Sequence, residues 1–382
     1  MLASPDNGVP VLKTDDARRR RLVMPLFILS LVGLLVLGLA WNRGNDSKIV
    51  GAGSTLAAPM IDRAAIDYRN AFNADNPERP DQTGGDWVMD GSGLIYEPVG
   101  SMGGIMRLSD AEVDFAVSDY PLTTEALEER ELGQFPLAAG AVAVVHDLDL
   151  GGKQLQLDAT TVANIYLGTI TKWNDKAIAT LNPGLTLPDQ AIKPVHRSDG
   201  SGSTQGITQW LATNSPQWND GPGAGPAVTW PKEVGLAAKR SSGVVKTVND
   251  NPGAIGYVEP GQAKSAGLQV AKLRNGASQF VAPDAAGMAA SVKGMDWSSA
   301  EHFTRVAPNP DAKGAYPVTV PIYVVMKREP EQRTDAKRAL GYLKYVLHRS
   351  DASVKKLGYL PLPQQGAQQV DDYITQTFPY AP

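Results

Sequence analysis

Ile49-Val50-Gly51-Ala52-Gly53-Ser54-Thr55, followed by Met60, Ile61, Ala64, Tyr68 and Phe72 at helical spacing, is the stretch from which the fold is read. A β-branched pair opens it, a Gly/Ser/Thr corner interrupts it, and an amphipathic helix follows. The same alternation continues outward. Val113, Phe115 and Val117 alternate as in a half-buried strand that ends at Ser118-Asp119. Short apolar runs lie at residues 141–146, 255–258 and 318–326, the last with a proline inside it. Residues 330–347 return to helix, with Ala336, Leu340, Leu343 and Leu347 on one face. Residues 73–93 and 214–225 are rich in Pro, Asp, Asn and Gly and read as polar loops. Strands alternating with helices predict an α/β fold with helices on the sheet faces.

At 382 residues the chain is long enough for two or three domains, or for one fold of two lobes. Its 42% apolar content excludes a disordered or fibrous chain. With no cysteine there is no disulfide framework, thiolate metal site or catalytic thiol. Residues 1–48 carry a net charge of +3 and the remainder −7. An acidic body lacks the basic footprint of a nucleic-acid binder. Arg18-Arg19-Arg20-Arg21 precedes the uncharged run 22–41, which ends at Trp41. Such a run is long enough to span a bilayer as a helix, and the arginines hold the tail 1–21 on the cytoplasmic side. A cleaved signal ending near Gly38-Leu39-Ala40 is the alternative; the length favours an uncleaved anchor. On either reading the body is extracytoplasmic.

One local design occurs three times: Gly53-Ser54-Thr55, Gly100-Ser101-Met102-Gly103-Gly104 and Gly200-Ser201-Gly202-Ser203-Thr204, each just before a helical pattern. The first turn of a helix has backbone N–H groups without intrahelical acceptors. Glycine allows close approach, Ser and Thr hydroxyls add donors, and the partial positive charge of the terminus favours oxyanions. Taken singly, each corner is ordinary helix capping. Arg197 and Asp199, just before the third corner, strengthen the anion reading, because arginine offers a fork of donors to a tetrahedral oxyanion. That corner has no Walker lysine, which counts against a nucleotide hydrolase.

These segments, in order, resemble the periplasmic phosphate-binding proteins of phosphate ABC transporters. The similarity rests on the three corners, on Val113-Asp114-Phe115-Ala116-Val117-Ser118-Asp119, and on Arg197-Ser198-Asp199-Gly200-Ser201-Gly202-Ser203. Ile165-Tyr166-Leu167-Gly168 with Lys172-Trp173-Asn174-Asp175, and Pro252-Gly253-Ala254-Ile255-Gly256-Tyr257-Val258-Glu259, extend it. The resemblance implies an α/β, two-lobed periplasmic-binding-protein fold of type II with its ligand cleft between the lobes. Residues 49–138 plus 318–382 would form lobe I and residues 139–317 lobe II, preceded by the N-terminal transmembrane helix. It implies phosphate contacts from Thr55, the Leu56 N–H, Ser101, Asp119, Arg197, Ser201, Gly202 and Ser203, with Asp199 holding Arg197. Leu56 stands where an aromatic is frequent, Ser203 where threonine is common, and residues 73–93 are longer than the usual segment.

The function so implied is reversible capture of inorganic phosphate outside the membrane and delivery to a transporter, with permease subunits and an ATPase as partners. Neither cofactor nor metal is called for. A phosphatase using the same corners is the rival, but it needs an activated nucleophile or a metal. His146, His196, His302 and His348 show no ligand spacing, and His196 beside Arg197 is the one general-base candidate. A membrane-anchored phosphate sensor is the third reading.

Overall fold

β1 (Val50–Gly53) pairs in parallel with β2 (Ile95–Glu97) on one side and β3 (Phe115–Ser118) on the other. β13 (Thr319–Lys327) runs antiparallel to both β3 and β4 (Leu132–Ala141), and β14 (Leu360–Pro361) closes the far edge. The order in this mixed sheet is β14-β4-β13-β3-β1-β2. The computed structural model describes residues 49–71, 94–231, 234–349 and 351–381. The arginine cluster, the run 22–41, Phe72 and the stretch 73–93 lie outside the described residues. Among those described, no helix is long and apolar enough to cross a membrane.

All four residues of β3 are buried, against the expectation of one wet face. The strand is central, and both its faces are covered. Phe115 and Val117 join the large core, while Ala116 meets Leu108 of the helix Ser101–Ser109 on the other face. That helix lies so close to β1 that a Cβ on Gly104 would stand 2.5 Å from the Gly53 Cα, so only glycine fits there. Strands buried on both faces lose the alternation that marks a one-sided sheet. β4 and β13 each carry a proline, Pro136 and Pro321, and the register between them slips beside both, at Ile322/Tyr323. An irregularity is where an interior sheet tolerates proline.

The second sheet has the order β10-β5-β9-β7-β8. It comprises β5 (Ala143–His146), β7 (Lys193–Arg197), β8 (Leu236–Ala238), β9 (Ala254–Val258) and β10 (Gln269–Val270). A three-stranded sheet of β6 (Gln156–Leu157), β11 (Lys272–Arg274) and β12 (Phe280–Val281) completes the strands described. The chain passes from the first sheet to the second through Val142, between β4 and β5. It returns just before β13, and at the crossing the Val142 N–H donates to the Val318 carbonyl at 2.9 Å while Tyr316 Oη donates to the Val142 carbonyl at 2.9 Å.

The helix Arg333–Arg349 buries the predicted Ala336, Leu340, Leu343 and Leu347. Each buried leucine contributes about 1.5–3 kcal/mol, so packing rather than propensity holds this helix in place. Its Tyr342 donates to the Ile61 carbonyl of the helix Ala58–Ala71 at 2.8 Å. The polar-loop reading of 214–225 is corrected. Ser215 caps a short helix, Pro216–Asp220, with proline in the first turn. Trp218 is fully buried there and its Nε1 donates to the Gly223 carbonyl at 2.8 Å. The proline and serine that suggested a loop are here a helix start.

Candidate functional site

Four helix N-termini converge on the C-terminal ends of β1, β3 and β7. The helices Ala58–Ala71, Ser101–Ser109, Gly202–Asn214 and Arg240–Asp250 each begin one to five residues after a strand or a glycine corner. Exposed N–H groups and aligned dipoles at such termini make the local field positive.

Arg197, at the end of β7, lies at the centre. Its side chain is 1% exposed, and its Nε donates to Asp199 Oδ1 at 2.8 Å while Nη2 bonds Oδ2. The remaining Nη1 donates to Thr55 Oγ1 at 3.0 Å and reaches Ser241 Oγ at 3.4 Å. Thr55 and Ser241 are themselves 2.7 Å apart through their hydroxyls. Below the guanidinium, Tyr257 Oη accepts the Arg197 N–H at 3.0 Å and lies 2.8 Å from Thr204 Oγ1. Burial works against the Asp199 charge, but the Arg197 hydrogen bond and charge outweigh it and hold the carboxyl below its usual range.

Asp119, at the end of β3, is also buried. Desolvation pushes its pKa up to about 6, opposed by a hydrogen bond from Ser54, the Arg197 charge and the nearby Ser203 hydroxyl. Ser101 Oγ accepts the Gly202 N–H at 3.2 Å and the Asp119 N–H at 3.4 Å, tying the second and third corners together. A Cβ on Gly202 would meet Asp119 Oδ2 and Ser101 Oγ, both at 2.7 Å. Ser201 caps its helix by accepting the Thr204 N–H at 3.3 Å. Ser203 Oγ is buried and makes no hydrogen bond of ordinary geometry. The Leu56 side chain is fully buried and lies over Gly140 in the core.

Thr55, Ser101, Asp119, Arg197, Gly202 and Ser203 are thus drawn into one nest, with Asp199 bracing it. The fold also brings to this nest Ser241 and Gln262, which the sequence motifs do not single out. Ser241 stands in the first turn of Arg240–Asp250, and Gln262 Nε2 donates to the Thr55 carbonyl at 2.9 Å. Ser241-Ser242-Gly243 repeats the Ser/Gly composition of the other corners, which was the available signal. His196 points to other work. Its ring stacks on Trp230 at 4.6 Å, Nδ1 lies 3.2 Å from the Arg197 carbonyl, and burial lowers its pKa.

A buried fork of donors, a ring of hydroxyl and N–H groups, and one raised carboxylate together suit a protonated tetrahedral oxyanion. A family model described as a PBP superfamily domain matches residues 41–350. The phosphate-binding protein PstS of Xylella fastidiosa is 36% identical over 332 residues, covering 87% of this chain and 86% of its own. PstS of Pasteurella multocida is 36% identical over 323 residues, covering 84% of this chain and 88% of its own. The crystal structure of a phosphate-binding protein from Stenotrophomonas maltophilia superposes with a TM-score of 0.63 at 18% identity, covering 85% of this chain and 93% of its own. At that identity the likeness is one of fold.

Proposed function

The chain belongs to the PBP superfamily and, within it, to the PstS phosphate-binding proteins, and from that membership we propose that it captures inorganic phosphate outside the cytoplasmic membrane and passes it to an ABC importer. The observation that carries this reading is the pairing of Arg197 with Asp119 in one buried nest. The first supplies charged donors. The second is the acceptor for the proton that phosphate retains near neutral pH. Thr55, Ser101, Ser201, Ser203 and the N–H groups of Leu56 and Gly202 complete the ligand set, and Asp199 fixes the fork. Neutral donors in a dry site carry most of the affinity, so the acidic body is no obstacle.

In this reading the first sheet anchors a lobe of residues 49–138 and 318–382, the second a lobe of 139–317, and phosphate sits between them. Residues 22–41 tether the body to the membrane, and the permease subunits and ATPase are the partners. A phosphatase is not favoured, because His196, the one general-base candidate, is engaged with Trp230. An anchored sensor shares the site and differs only in its partner.

Calorimetric titration of the purified full-length chain with phosphate, sulfate and molybdate is the test. The expected result is one saturable phosphate site and no sulfate heat at matched ionic strength. In Asp119→Asn an amide donor replaces the acceptor at equal volume, and sulfate gains at least tenfold while phosphate changes less. Sulfate binding equal to that of phosphate in the wild type, or turnover of a chromogenic phosphate ester, overturns the reading. Phosphate uptake in cells lacking other phosphate binders separates importer from sensor.

A further inference from the structure

The second and third corners meet along a seam that is tight in its backbone and covered by one flexible side chain. The Met102 N–H donates to the Gly200 carbonyl at 3.3 Å. The Met102 side chain lies across the Gly200 Cα: a Cβ there would stand 2.5 Å from its Sδ, 2.6 Å from its Cβ and 2.8 Å from its Cγ. Gly100, with φ of +92°, is equally confined, since a Cβ on it would meet the Gly200 carbonyl oxygen at 2.6 Å and Asp199 Oδ2 at 2.8 Å. The residues beside this contact are Ser101 of the anion nest on one side and, on the other, Asp199, which braces the nest, and Ser201, which caps the helix of the third corner. Met102 is nevertheless 37% exposed. A thioether therefore covers this contact and is itself partly open to solvent.

Resting on the phosphate reading, we propose that Met102 is the seal of the closed site and an oxidation-sensitive control on phosphate retention, with hydrogen peroxide as the oxidant. The Sδ lone pair attacks one peroxide oxygen, the O–O bond breaks, an S–O bond forms and water leaves. Sulfur is oxidised by two electrons and the peroxide is reduced. The product is a polar, bulkier sulfoxide, which prefers water to the apolar face of Gly200. As the side chain turns outward, the 3.3 Å bond between Met102 N and the Gly200 carbonyl loses its cover. Water then competes for it and for the adjoining bond between Gly202 N and Ser101 Oγ. The seam opens more often and phosphate leaves sooner, while its entry is little affected. Methionine sulfoxide reduction restores the seal.

The molecule holds its own control. Met106, one turn further along the same helix, is 61% exposed, whereas Met60, Met288 and Met326 are buried. The experiment uses the full-length protein loaded with radiolabelled phosphate and chased with unlabelled phosphate, before and after peroxide, with peptide mass mapping of Met102. The wild type should release phosphate about three- to tenfold faster once Met102 is oxidised, with the association rate changed less than twofold. Treatment with methionine sulfoxide reductase should reverse the effect. Met106→Leu should respond like the wild type. Met102→Leu should show no peroxide-induced change relative to its own untreated rate, and Met102→Gln should release quickly without peroxide. Oxidised Met102 with unchanged release, resistance of Met102 to peroxide, or an equal peroxide response in Met102→Leu overturns the proposal. Failure of the untreated wild type to retain any phosphate overturns the binding reading instead.

Discussion

Arg197 makes its bonds to Asp199 and Thr55 at a site where neither its side chain, at 1% exposure, nor that of Asp199, at 9%, has solvent to fall back on. Removing the guanidinium leaves a buried carboxylate without its partner and an anion site without its charge. Arg197→Ala should weaken phosphate binding by about 2–5 kcal/mol, roughly thirty- to several-thousandfold. Arg197→Lys should recover part of the charge but not the fork, because an ammonium cannot hold both Asp199 oxygens and Thr55 at once. Titration of the two variants beside the wild type checks this, and equal dissociation constants for all three would place Arg197 outside the site. The Arg-x-Asp-Gly-Ser-Gly order made this residue and its brace legible in the sequence, since donor, brace and helix start are local. Ser241 and Gln262 reach the same nest from 44 and 65 positions further along the chain. Their side chains acquire a role only when β7, β8 and β9 are laid side by side, which no short window of sequence records.

The helix Pro260–Ser265 is too short to stand on its own, and its start rests on Glu259. The Glu259 carboxylate accepts the Gly261 N–H at 2.5 Å and the Gln262 N–H at 2.9 Å, and Gln262 in turn holds the Thr55 carbonyl. Burial pushes the Glu259 pKa up to about 7 despite these bonds. An acid raised in this way keeps its proton in the folded protein after the unfolded chain has released it. The stability it contributes is therefore lost as pH climbs from about 4.5 to about 7, and is level above that. Asp119 acts in the same direction between about 4 and 6, and His146, buried with a pKa of about 4, acts in the opposite one. The clean readout is thus the difference between wild type and Glu259→Gln. Denaturant melts from pH 5 to pH 8 should show the variant gaining on the wild type by on the order of 2–3 kcal/mol as pH rises. A constant difference across that range would show that Glu259 does not titrate there. At this scale the sequence predicted elements better than their surroundings. The helices after the three corners and the strand runs at 255–258 and 318–326 all form, because periodicity reports them directly. The wet face assigned to β3 and the loop assigned to 216–220 fail, because burial on both faces and a buried tryptophan come from neighbours distant in sequence.

The two large sheets differ in how far along the chain they reach. The second draws its strands from residues 143–270 alone, whereas the first needs β1 near residue 50 together with β13 and β14 from Thr319 onward. Both neighbours of β4 in the first sheet belong to that late stretch, as does Tyr342, which bonds Ile61. Pairings at such separation close long loops before they are rewarded, so they form slowly. Pulse-labelled hydrogen exchange during refolding should protect the amides of β5, β7 and β9 before those of β4 and β13. Simultaneous protection of both sets would show a single cooperative unit. The crossing at Val142 and Val318 sets a further timetable for a chain that emerges N-terminus first. β1, with the Gly-Ser-Thr corner that begins the anion nest, finds both of its partners early in β2 and β3, but the sheet they start waits for β13 and β14 before β4 can join it. Until then β4 stands with both edges bare, and an unpaired edge of ten largely apolar residues is a template for the wrong partner. A chain cut short after the second sheet would keep Arg197 and the third corner yet lack the strands that bring Thr55 and Asp119 to them. Completion of synthesis, rather than the presence of the anion-binding corners, is what makes the site.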